Sequence, residues 1–265
     1  MEEVLLVDRC DGIATVTLNR PSKLNSLSRE LRRQLVQAFG ELSVDDGVDV
    51  VILTGNGRAF CAGLDLKELS GDSESEGSAL DDRERASVVA GADIVRAMEI
   101  FPGPVIGAIN GFAITGGFEL ALSCDVLIAS TEAKFADTHA RVGILPGWGL
   151  SQKLSRTIGI YRAKELSFSG NFLGAEQALQ WGLVNRVVAP EQLLETATAL
   201  ARDMQSCPRD VLRAYKRLID DGAKIELGKA LELEAVHSRA HIESVSQDQI
   251  RARRQSVQQR GREQN

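Results

Sequence analysis

The chain has 265 residues, room for one large domain, or one domain with a smaller appendage, around a sizeable core. Hydrophobic residues make up 43% and charged residues 26%, an ordinary globular composition, and no apolar run is long enough for a transmembrane helix to be expected. The formal net charge of -6 argues against nucleic acid as the main partner, while an anionic small ligand at a local basic patch stays open.

The first residues, "MEEVLLVDRC", begin with two acids after the methionine and lack a basic leader region, so no secretory signal is expected. Cys10, Cys61, Cys124 and Cys207 form no CxxC pair, and reduced thiols in a cytoplasmic protein are the expectation. "VLLVD" and "IATVTLN", split by a turn carrying Asp-Gly, predict a hairpin or adjacent strands. After the loop "RPSKLNSLS", Ser28 and Glu30 mark a helix start, and "RELRRQLVQAFGEL" has helical apolar spacing. "VDVVILTG" reads as a buried strand, nearly continuous in Val, Ile and Leu. "GNGRAFCAGLDLKEL" is a loop entering a helix, and the Ser- and acid-rich segment after it reads as mobile surface. A helix is expected over about Ala86 to Ile100, stopped by Pro102 and Pro104. "PVIGAING" and "DVLIAS" are further buried strands around a short helix in "GGFELALSC". Alternating strands and helices predict an α/β architecture with much parallel pairing. Beyond "LPGWG" the chain turns helical, apart from a short strand in "LVNRVV". The boundary is placed near Pro190, between a core of residues 1–190 and a helical part of 191–265. The last helix is so polar that its weak apolar stripe needs another element or subunit to dock on.

Chemistry concentrates in two glycine-rich loops. "TGNGRAFCAGLDL" follows "VDVVIL", and "NGFAITGGFEL" follows "PVIGAI". Glycine lets a ligand approach the backbone, and a helix start leaves N–H donors without partners. Two such loops side by side would aim two N–H groups at one oxygen, an oxyanion hole. A dinucleotide or P-loop site fits poorly, since "GNGRAF" is not GxGxxG and no GxxxxGK[ST] occurs. Cys61 in the first loop is a possible nucleophile, although a small buried residue is the plainer reading. His237 and His241, with Glu234, have helical ligand spacing, yet no HExxH is present and a solvated or interface face fits better, so no metal is expected.

Both loops resemble signature segments of the crotonase, or enoyl-CoA hydratase/isomerase, superfamily. "LNRPSKLNSLS", "FADTHARVGILPGWG" and "ALQWGLVNRVV" resemble three further family segments in the same order. The resemblance implies a ClpP-like β-β-α spiral core with a C-terminal helical trimerisation region, assembled as a homotrimer or hexamer. It also implies an acyl-CoA ligand, with coenzyme A entering only as part of the substrate and no separate cofactor. By position, the N–H groups of Leu64 and Gly116 would polarise the thioester carbonyl. Leu24 and Ala62 fall on CoA-contact positions, and Lys23 and Lys67, with Arg20 a weaker third, either offer charge to the CoA phosphates or stand as solvated surface charge. Asp65 is expected mainly to brace the loop and cap "LKEL". Trp148 and the segment Gly71–Asp82 are candidates to line or cover the acyl pocket.

Hydration of an enoyl thioester needs a base for water and an acid for the α-carbon. Glu119, three residues after Gly116, matches the family's first catalytic glutamate. At the second glutamate's position, four residues after Phe135, this chain has His139. Three readings of His139 are open: the acid itself, oriented by Asp137 two residues earlier on an extended segment; a residue that only shapes the pocket; or a structural turn histidine in an acyl-CoA-binding protein. The expected function is enoyl-CoA hydratase, with isomerisation, thioester hydrolysis or non-catalytic acyl-CoA binding as alternatives.

Overall fold

A computed structural model describes residues 3–65, 68 and 92–263. The chain divides into two compact units, Met1–Leu212 and Arg213–Asn265. The first is built on two sheets. β1 (Leu5–Cys10) and β2 (Ile13–Leu18) form the expected hairpin, with Leu5 opposite Leu18 and Cys10 opposite Ile13. Asp11 and Gly12 turn it with φ of 50° and 78°, the positive pair that a two-residue Asp-Gly turn supplies. β3 (Val50–Gly55), β5 (Val105–Ile109), β7 (Val126–Ser130) and β10 (Arg186–Val188) extend this sheet in parallel, in the order β1-β2-β3-β5-β7-β10.

The second sheet consists of very short strands, in stretches whose sequence pattern predicts loops. β4 (Ala59–Cys61), β6 (Phe112–Ile114) and β8 (Lys134–Ala136) are parallel, and β9 (Leu173–Gly174) closes it antiparallel. β4, β6 and β8 follow β3, β5 and β7 of the first sheet in turn, so each of these turns of chain lays one strand in each sheet, whereas β9 comes after a run of helices and before β10. Between them lies the main core, where Phe39, Phe60, Phe118 and Phe135 are fully buried.

α1 (Arg29–Ser43) starts at Ser28, whose Oγ accepts the Leu31 N–H at 3.2 Å, and buries Leu31, Leu35, Phe39 and Leu42. α2 (Ala92–Ile100) is the described part of the helix expected from Ala86. α3 (Gly116–Ala121) and α4 (His139–Val142) each follow a short strand of the second sheet. α5 (Leu150–Ile158), α6 (Ile160–Ser169) and α7 (Ala175–Gln180) come next. α8 (Leu193–Gln205) lays Leu193, Ala197 and Ala201 on the outer face of the first sheet, against Val50, Ile52, Ile106 and Ile128. The helix after Pro190 therefore packs within the first unit. α9 (Arg209–Gly222) runs across the division, and α10 (Leu227–Ser244) and α11 (Gln247–Glu263) belong to the second unit. Among the described residues no disulfide forms and no helix is long and apolar enough to cross a membrane.

Candidate active site

The two glycine loops meet. Gly63 has φ of +88°, and a Cβ added there would lie 3.2 Å from the Gly116 nitrogen. At Gly117 an added Cβ would sit 1.9 Å from the Cys61 carbonyl oxygen, so this pair of loops tolerates no side chain between them. Leu64 bridges to Leu27 in parallel fashion. The bridge uses the Gly63 carbonyl (2.8 Å from the Leu27 nitrogen) and the Asp65 N–H (3.4 Å to the Leu27 oxygen), leaving the Leu64 N–H out of it. Gly116 opens α3, where an N–H has no acceptor four residues back. Ala62, Leu64, Thr115 and Gly116 line one pocket with Glu119, Thr138, His139, Ile144, Leu145 and Trp148, about 530 Å³ with its open mouth included. The two residues expected to supply the donors thus line one cavity.

Glu119 and His139 line the same cavity and are 2% and 5% exposed. Glu119 Oε1 accepts the backbone N–H groups of Trp148 at 2.8 Å and Leu150 at 3.3 Å. Its Oε2 lies 3.5 Å from His139 Nε2. The other imidazole nitrogen, Nδ1, is 2.7 Å from Asp137 Oδ1, which also accepts the His139 N–H at 3.2 Å. Asp137, His139 and Glu119 form a buried row of alternating charge. Burial by itself lowers the His139 pKa, but hydrogen bonds to Asp137 and Glu119, with their charges, win and push it up to about 9. For Asp137, burial raises the pKa, and the bonds from His139 and Ser167 outweigh it and hold it below the usual carboxylate value. At neutral pH the imidazole in this row therefore keeps its proton, and Asp137 stays a carboxylate.

One local detail differs from expectation. Asp137 follows β8 and His139 is the first residue of α4, so the two do not share a face of an extended segment. A turn instead lets one Asp137 oxygen take both the backbone and the ring N–H of His139.

The remaining predicted residues divide clearly. Leu24 has φ of 50°, and its carbonyl accepts the Ala62 N–H at 3.0 Å, joining the first loop to the loop that carries Gly63 and Leu64. Asp65 braces the loop: its Oδ2 takes Arg20 Nη1 at 3.0 Å and the Ser26 hydroxyl at 3.2 Å, while most of the "LKEL" it was expected to cap lies outside the described residues. Arg20 is correspondingly held as a loop brace by that ion pair and by its bond to the Ser26 carbonyl at 2.6 Å. Lys23 is exposed at the end of a short helical turn, Pro21–Lys23. Lys67 and the segment Gly71–Asp82 lie outside the described residues. Trp148 is buried against Gly116, its ring 3.3 Å from where a Gly116 Cβ would stand. Cys61 is buried and its thiol is pushed up to about 12 by desolvation, which leaves too little thiolate for a nucleophile. Among the described residues no group of three or more His, Cys, Asp or Glu could hold a metal.

Three contributors were missed from sequence. Asn25, fully buried at φ of 54°, donates to the carbonyls of Ala59 (2.7 Å) and Asn56 (3.0 Å) and accepts the Arg20 N–H at 2.8 Å. Its signal was the short polar residue inside "KLNSLS", a type that tolerates a left-handed backbone. Thr115 and Thr138, from different loops, pair their hydroxyls and line the pocket, and nothing in either local pattern announces the other.

Comparison with known proteins gives the same direction. The family model described as "Enoyl-CoA hydratase/isomerase" matches residues 8–260. The chain is 44% identical to "Probable enoyl-CoA hydratase 1, peroxisomal" of Arabidopsis thaliana, covering 94% of this chain and 91% of that one. It is 37% identical to "1,2-epoxyphenylacetyl-CoA isomerase" of Escherichia coli, over 90% of each. A crystal structure of enoyl-CoA hydratase from Bacillus anthracis superposes with a TM-score of 0.86 at 34% identity, covering 97% of both chains. The sheets and helices described above are the fold of these structures.

Proposed function

The chain belongs to the enoyl-CoA hydratase/isomerase family, and from that premise we propose that it adds water across the double bond of a 2-enoyl-CoA thioester. The observation that carries this reading is the 3.5 Å approach of His139 Nε2 to Glu119 Oε2 in a pocket shared with Leu64 and Gly116. The carbonyl oxygen takes the N–H groups of Leu64 and Gly116. Glu119 Oε2 removes a proton from water as the water oxygen bonds to the β-carbon, and the double-bond electrons move onto the thioester oxygen. The two N–H groups stabilise that enolate, each worth about 2.7–4 kcal/mol when well aimed. His139 Nε2–H then protonates the α-carbon, and the enolate electrons form the new C–H bond. Glu119 returns its proton to His139 across their contact, and the pair is reset. Atoms balance with water and the enoyl thioester alone; coenzyme A is part of the substrate, and no cofactor enters the scheme.

His139 thus takes the acid's part, Asp137 keeps Nδ1 occupied so that Nε2 faces Glu119, and Trp148 supports the base and the Gly116 turn. Lys23, with Lys67, is assigned to the CoA phosphates. Glu119→Gln is expected to lower kcat by about 10²–10⁴-fold while acyl-CoA binding persists. The assay is loss of the conjugated enoyl absorbance with short and long enoyl-CoA substrates. A wild type that isomerises a 3-enoyl-CoA and adds no water would overturn hydration. Isomerisation is the second reading, favoured by the isomerase among the relatives and by the single glutamate beside the oxyanion donors. A homotrimer or hexamer in the cytoplasm completes the proposal. It is supported by exposed apolar residues on α10 and by cysteines that form no disulfide. A fluorescent fusion followed against compartment markers tests the location.

A further inference from the structure

Thr115 is in the wrong conformation for its chemistry. A β-branched residue at φ of 54° and ψ of −111° occupies a backbone region that such side chains avoid, so its surroundings must hold it there. The strain is placed where it matters, because ψ of Thr115 sets the direction of the next N–H, that of Gly116. Four hydrogen bonds hold the residue. Its N–H donates to the Ala136 carbonyl at 2.8 Å, and its carbonyl accepts the Glu119 N–H at 2.9 Å. Its hydroxyl accepts the Thr138 N–H at 3.3 Å and pairs with the Thr138 hydroxyl. Thr138 is the residue immediately before His139 and lines the same pocket. We propose that Thr138 is a positioning residue: its hydroxyl locks Thr115, aims the Gly116 N–H at the thioester oxygen, and ties the oxyanion hole to the turn that carries His139.

This rests on the hydratase reading, and its test separates the two. Thr138→Val keeps the shape and removes the hydroxyl; Thr138→Ser restores it. Each is measured for hydration kinetics, for melting temperature, and for the carbonyl stretch of bound, ¹³C-carbonyl-labelled butyryl-CoA, a saturated thioester that cannot be hydrated. Thr138→Val is expected to lower kcat about 10-fold, less than the 10²–10³-fold for a donor lost outright, with KM moving less than about 2-fold. The bound carbonyl stretch should lose part of its shift to lower frequency, and Thr138→Ser should recover both values. A Thr138→Val protein that melts like wild type and keeps wild-type kcat and carbonyl frequency overturns the proposal. So does a Thr138→Ser protein as impaired as Thr138→Val. A wild type that polarises the carbonyl but hydrates nothing sinks the hydratase reading, and the Val-to-wild-type frequency difference still decides the role of Thr138.

Discussion

A histidine as buried as His139 ordinarily gives up its proton, because desolvation disfavours the imidazolium. Asp137 and Glu119, one at each ring nitrogen, reverse that outcome and push the pKa up to about 9. The sign is that of a raised group: the proton is favoured in the fold and released only on the alkaline side. Pairing therefore stabilises the protein fully below the ordinary histidine value of about 6.5, and that stability fades as pH rises through about 9. If the imidazolium is the acid, kcat/KM falls on the same limb. Asp137→Asn removes one of the two opposing charges, so the alkaline limb should move to lower pH, with His139→Glu better tolerated than His139→Ala at neutral pH. A pH profile of kcat/KM for the four proteins is the measurement; an alkaline limb unmoved by Asp137→Asn would free the acid's role from this row. Asp137 and His139 were visible in the sequence as a spaced pair. Ser167 and Thr138 were not, because tertiary hydrogen bonds between distant loops leave no periodic mark.

Between elements, the site depends on two loops approaching without side chains, and the two glycines that open α3 differ in what they meet. At Gly117 the obstacle is the Cys61 carbonyl, rigid backbone at 1.9 Å; at Gly116 it is the edge of the Trp148 ring at 3.3 Å, which can give by a few tenths of an ångström. Gly117→Ala must push α3 away from β4 and displace both oxyanion donors, and a misplacement near 1 Å costs about 10²-fold in rate. Gly116→Ala should cost far less. Melting temperature and kcat/KM of the two variants side by side check this, and equal losses would mean that close approach is not what requires glycine at the second position. The same contrast explains what was legible. β3, β5 and β7 show as runs of Val and Ile because they are buried on both faces. β4, β6, β8 and β9 have two or three residues each, too few for a period of two, and the second sheet was therefore invisible even though it carries both ends of the site.

For the whole molecule, the polarity of the C-terminal helices was readable, while the use of their apolar residues comes from the structure. On α10, Leu227, Leu231 and Ile242 fall within about 60° of one another around a helix of 3.6 residues per turn and are 74%, 56% and 70% exposed. On α11, Ile250 and Val257, seven residues apart, share a second such stripe and are also exposed. Leaving a large aliphatic side chain in water forgoes about 1.5–3 kcal/mol relative to full burial, so stripes of this kind are worth covering by a copy of the chain. Light scattering of the wild type should then give three or six times the 28.7 kDa protomer mass. Leu231→Asp with Ile242→Asp places two carboxylates on the stripe, whose burial without partners is costly, and should shift the mass toward the protomer. A wild type of protomer mass would remove the oligomer from the proposal. A multimer unchanged by the double substitution would keep the assembly and place its contact elsewhere, because no interface built on that stripe could bury two unpaired charges and hold.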